Sequence, residues 1–305
     1  MTSVAEWKLP AFLMPVRGWI DALCGRTDDQ FLTIVTALTL GILIFHGYSH
    51  VYFSVPFQLL AIAFLVLPAL QRQGGYWFLV ACFSAAAVWL DWTDADNHKY
   101  LLCYWTITLF LAFDGDRTHT RVLVRQSARY LLLFTMAWAV VQKTLSPDYL
   151  SGDFFEFIFM TDRRFSAFSS LLTGMDPSVF SHNRELYARA LDAMQFDQPL
   201  GQMQTSAALH TLAVVVSWIN YLDQLVIALL LLLPLSGRGE VVKHLLLMAF
   251  IVPVYAVAPV IGFGWLIVVW GYCLVPDRYA WLRLGYIGLF LLLSAYEFPW
   301  LSLLV

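Results

Sequence analysis

Along this sequence, long apolar runs alternate with short polar breaks. A helix that crosses a bilayer takes about 20 mostly apolar residues. Nine runs read that way: 31–49, 51–70, 75–92, 99–113, 127–145, 207–235, 241–258, 260–276 and 282–301. The fourth is short; the sixth is long, so its first turns are expected at the membrane interface. Breaks such as Gln71-Arg72-Gln73-Gly74 and Ser236-Gly237-Arg238-Gly239 join neighbouring runs. In lipid each backbone N–H and C=O has to be satisfied within its own segment, which leaves helices as the expected form. The pattern predicts an all-α fold, a polytopic membrane helical bundle of about nine transmembrane helices. No repeat or low-complexity tract interrupts it.

One connection is long, residues 146–206. Its stretch from Asp153 to Met160 is too apolar for a free loop and is expected to dip into the bundle or lie on its surface. Ser181 to Gln204 is polar and reads as an ordered cap or as neither. Long connections of this kind are usually functional or disordered. Residues 1–30 read as a separate amphipathic segment on the membrane surface, ahead of a transmembrane domain over 31–305. Glu6, Pro10, Pro15 and Arg17 interrupt that segment, so no cleavable signal is expected.

Charge sets the orientation. With the N-terminus inside, twelve of the 18 Lys and Arg fall on inner segments, while the short outer loops hold only Lys99. That asymmetry is the positive-inside pattern. It predicts a cytoplasmic N-terminus, an outer C-terminus and an outer position for the 146–206 loop. Composition agrees: 60% of residues are hydrophobic, 13% are charged and 12 are Trp. Soluble domains carry about a quarter charged residues, and tryptophan suits the two membrane interfaces. A net charge of −3 argues against a nucleic-acid partner. The cysteines Cys24, Cys82, Cys103 and Cys273 form no C-x-x-C pair and read as small apolar residues.

Ionisable groups are costly in a membrane and mark functional candidates. Here they are His46, Asp91, His98, Lys143, His210, Asp223 and Glu297. Lys143 and His98 sit at the outer ends of neighbouring antiparallel runs, which would bring them close. Apolar surroundings disfavour the ammonium form and leave an amine available as a base, and an imidazole beside it could stabilise an anion. The plainer reading has Lys143 snorkelling to the interface and His98 capping a helix in water. His46 and His50 are four apart on one helix face, a spacing a metal can use, but two ligands make no site. Asp223 and Glu297 are read as partners for Lys143 or for backbone donors.

Three stretches carry a family resemblance. Asn97-His98-Lys99-Tyr100-Leu101-Leu102, an apolar run and Asp114-Gly115-Asp116-Arg117 form the first. Gln142-Lys143-Thr144-Leu145-Ser146-Pro147-Asp148-Tyr149-Leu150-Ser151-Gly152 is the second, and Tyr221-Leu222-Asp223-Gln224-Leu225 the third. In order and spacing the chain resembles the horizontally transferred transmembrane (HTTM) domain, the membrane part of vitamin K-dependent γ-glutamyl carboxylases and their bacterial relatives. The resemblance implies a bacterial inner membrane and a reduced, vitamin K-like quinone as the candidate cofactor. In those enzymes the motif lysine deprotonates vitamin K hydroquinone, oxygen turns the anion into a strong base, a glutamate γ-proton is removed and carbon dioxide adds. The motif histidine stabilises charge. Carried over by motif, Lys143 is the base and His98 the stabiliser, with Asn97, Asp148, Tyr149 and Asp223 as binding residues. An ungapped match of Leu145 to Gly152 instead puts Thr144 at the base position, one residue or about 100° around the helix. The seventh run has Met248-Ala249-Phe250 where the carboxylases carry a histidine. Their large outer domain has no counterpart before Val305, so a separate soluble outer domain or protein substrate is the expected partner. The alternatives are a non-catalytic membrane scaffold, chaperone or partner subunit, and a small-solute transporter, for which internal repeats are missing.

Overall fold

The computed structural model describes residues 14–45, 51–90, 92, 95–116, 118–193, 201–257 and 260–297. His46, His50, Asp91 and residues 1–13 fall outside that set. The described chain is all-helical. Its helices are α1 (Met14–Leu23), α2 (Asp28–Phe45), α3 (Val51–Val66), α4 (Gly74–Leu90), α5 (Asn97–Asp114), α6 (Thr120–Leu145) and α7 (Pro147–Leu150). They continue as α8 (Asp153–Thr161), α9 (Ser166–Thr173), α10 (Pro177–Ala193), α11 (Ala207–Leu232), α12 (Arg238–Val257), α13 (Ile261–Leu274) and α14 (Leu282–Glu297). Each of the nine apolar runs falls mainly on one helix. By length and composition, two of the described helices, α2 and α11, suffice to cross a membrane.

Local chemistry explains several boundaries. The backbone N–H of Gln30 donates to the Thr27 hydroxyl at 3.2 Å, and the N–H of Thr27 donates to the Gln30 side chain at 3.4 Å. This reciprocal pair caps the first turn of α2, where Asp28 and Asp29 also complement the helix dipole. Ser206 caps α11, accepting from the N–H of Leu209 at 3.1 Å.

The chain forms two compact units. One holds Met1–Leu132, Ser236–Met248 and Ile261–Val305; the other holds Leu133–Leu235 and Ala249–Val260. In the first unit α13 is apolar all round and buried from Ile261 to Cys273, save Phe263. A helix with no polar stripe has to be covered on every side, and α2, α5 and α14 all pack on it. Trp105 meets Trp270 edge-to-face, with centroids 6.4 Å apart, and donates its indole N–H to the Thr39 hydroxyl at 2.9 Å.

The polar edge of this unit is built on Arg283, whose side chain is fully buried. It donates to the carbonyls of Cys24 (2.7 Å), Gly25 (2.8 Å) and Val275 (2.8 Å), and to the Asp277 carboxylate (2.7 Å). Arg121 bridges Asp277 and Asp28, and lies 4.7 Å above the Phe31 ring. These arginines, counted from sequence as orientation signals, join the α1–α2 turn to the start of α14.

In the second unit the long connection is helical, α7 to α10, and it packs on α11. Tyr149, Phe155, Phe159, Phe165 and Phe180 bury against Leu209 and Ala213. That is why the 153–160 segment is so apolar: its aromatic face is the core of this unit. Gly152 makes the approach possible. Its φ is +94°, and a Cβ there would lie 2.7 Å from Val214 Cγ2 and 2.9 Å from the Val214 backbone nitrogen.

Candidate functional site

Lys143 lies in the last turn of α6, on the second unit, and is half-buried. Its Nζ donates to Asn220 Oδ1 at 3.0 Å and to Gln224 Oε1 at 2.6 Å. Asn220 and Gln224 are four apart on α11, so one face of that helix presents both amides. The same nitrogen sits 4.8 Å from the centroid of the Tyr149 ring. Among the described residues Lys143 forms no ion pair with a carboxylate. Asp223, read from the sequence as a partner for Lys143 or for backbone donors, lies between the two amides in sequence, and the Lys143 amine bonds their neutral oxygens.

This geometry suits base chemistry. A neutral amine has two N–H bonds and one lone pair, and two acceptors oriented by α11 use both N–H bonds. The lone pair is then left for an incoming proton. The ammonium so formed would face an aromatic ring, whose negative face attracts cations. Tyr149 is buried, and among the described residues its hydroxyl has no hydrogen-bond partner. Burial pushes that phenol up, so it stays a neutral OH. Thr144, the other position the resemblance offers for a base, is exposed and has different partners. Its hydroxyl donates to the Val140 carbonyl at 2.8 Å and lies 3.3 Å from the Tyr221 hydroxyl.

Asp148 is exposed in α7 and Asn97 is exposed at the start of α5. His98 belongs to the first unit and is buried, with 3% of its surface exposed, which removes the reading of a histidine capping a helix in water. Neither Asn220 nor Gln224 was singled out in the sequence. The available signal was a pair of amides one turn apart on a largely apolar helix.

A second polar cluster went unrecognised. Asp153 and Glu156, in the first turn of α8, meet His210, in the first turn of α11. His210 Nδ1 lies 2.6 Å from Glu156 Oε2, and one ligand atom from each of the three residues falls within 4.8 Å of the others. The sequence placed Glu156 in a phenylalanine-rich stretch and His210 in the sixth apolar run, 54 residues apart, with nothing local to join them.

No protein-family model, curated protein or solved structure matches the chain.

Proposed function

We propose that this chain is a multi-pass membrane protein of the HTTM type in which Lys143 acts as a general base on a weakly acidic, lipid-soluble substrate, with a reduced quinone as the leading candidate. The observation that carries the reading is the Lys143 amine, held by two neutral amide oxygens over an aromatic face, with no carboxylate among the described residues to fix it as ammonium. In the proposed step the Lys143 lone pair takes the hydroxyl proton of the quinol, giving the quinol anion and an ammonium ion. Carboxylase-type chemistry would then consume oxygen and carbon dioxide. The membrane half of the reading rests on nine apolar runs, the bias of Lys and Arg, and large apolar side chains left facing outward. Trp89 is 81% exposed and Phe134 68%. Such surface is a liability in water and ordinary in lipid. The orientation proposed is N-terminus cytoplasmic and C-terminus outer, in a bacterial inner membrane.

The test uses membranes containing the full chain, supplied with a reduced naphthoquinone, oxygen, labelled bicarbonate and a glutamate-containing peptide. Quinone epoxidation and label uptake are read together. Lys143→Ala is expected to lower the rate by about 10²–10⁴, the usual worth of a positioned base. His98→Ala tests separately the charge-stabilising part that the resemblance assigns to it. Activity unchanged in Lys143→Ala would remove the base assignment. An inert wild-type protein would end the enzyme reading and favour a non-catalytic scaffold or partner subunit.

A further inference from the structure

We propose that Asp153, Glu156 and His210 form a binding site for a divalent first-row metal ion on the second unit, distinct from the Lys143 amine. The ligand set is one imidazole and two carboxylates, the donor chemistry of zinc and manganese sites rather than of soft copper(I) or iron–sulfur centres. Three protein ligands leave the remaining positions to water.

Two separate helices supply the ligands. Asp153 and Glu156 are three apart and share one face of α8. His210 comes from α11, one turn before Val214, against which Gly152 holds the start of α8. The meeting of the three groups is therefore set by backbone packing. The carboxylates are also oriented: Thr205 donates its hydroxyl to Glu156 Oε1, and Ser151 donates to Asp153 Oδ2 at 2.7 Å. Outer hydrogen bonds of this kind fix ligand direction in metal sites.

Charge argues for a cation. The Glu156 side chain is only 13% exposed, so water solvates it poorly. Among the described residues neither Asp153 nor Glu156 pairs with a Lys or Arg. Two carboxylates facing one imidazole carry net negative charge even when the ring is protonated. His210 precedes Asn220 by ten residues of α11, about 15 Å along the helix axis, so this ion would not touch the Lys143 amine.

The experiment takes the full chain in detergent, strips it with a chelator, and titrates it calorimetrically with zinc chloride and manganese chloride. Wild type is expected to take up one ion per chain. His210→Ala and Glu156→Gln should weaken binding at least about ten-fold, since even outer-shell partners are worth that much. Asp153→Asn, at an exposed position, should do the same without disturbing the core, and it decides the matter if the other two variants melt before metal is added. Lys143→Ala should bind metal as wild type does, which separates this site from the proposed base. No saturable uptake by wild type, or Asp153→Asn binding as tightly as wild type, would overturn the proposal and leave only a His210–Glu156 hydrogen bond.

Discussion

At the scale of single residues, Gly152 meets a conformational and a steric demand at once. Its φ of +94° suits a residue without Cβ, and the space a Cβ would need is filled by Val214, including its backbone nitrogen at 2.9 Å. Left-handed backbone costs an L-residue about 1–2 kcal/mol, and forced overpacking typically adds about 1–3 kcal/mol. Gly152→Ala should thus destabilise the second unit by about 2–5 kcal/mol, read as a lower melting temperature in detergent. Adding Val214→Ala should rescue only part of the loss, because the helical nitrogen cannot retreat. A variant that melts like wild type would mean that α8 does not seat against α11 at this point. Glycine at 152 was visible in the sequence as part of a motif, but its reason was not. The reason lies in a residue 62 positions away.

At the scale of helices, the sequence was a good guide to what forms and a poor one to what meets. Apolar runs marked nine of the helices, since a backbone buried or placed in lipid has few other choices, but the 17-residue α10 formed where the polar sequence carried no such mark. The pairing of Lys143 with Asn220 and Gln224 depends on which faces of α6 and α11 turn toward each other. Periodicity along a uniformly apolar helix does not reveal that. The arginines show the same gap. Arg283 reads in sequence as one more inner charge, yet in the fold it gathers three carbonyls and Asp277 around a buried guanidinium. Removing one side of a buried charged network typically costs about 3–5 kcal/mol. Arg283→Met should lower stability by that order, and Arg283→Lys should recover little, because a single ammonium cannot reproduce a planar fork of donors. Thermal unfolding of both variants, followed by circular dichroism, checks the expectation. Near-complete rescue by lysine would show that charge alone, rather than the fork, joins the α1–α2 turn to α14.

At the scale of the whole molecule, buried ionisable groups coexist with outward-facing aromatic rings. Fully buried positions include Arg283 and His244, while Trp89, Trp138 and Phe134 lie on the exterior. The 12 tryptophans therefore fall into optical classes. Trp77, Trp105, Trp265 and Trp270 are sealed in the first unit, and the second unit contains only Trp138 and Trp218, exposed by 62% and 44%. Reconstituted into vesicles whose acyl chains carry bromine, the outward indoles should darken while the sealed ones keep emitting at short wavelength. Trp138→Phe should shrink the quenchable fraction, and Trp105→Phe should remove light that bromine never reached. If bromine dims neither population, the outward rings do not touch lipid. The Trp105–Trp270 pair would then serve as an internal lamp for unfolding, separable by colour from any change at the rim.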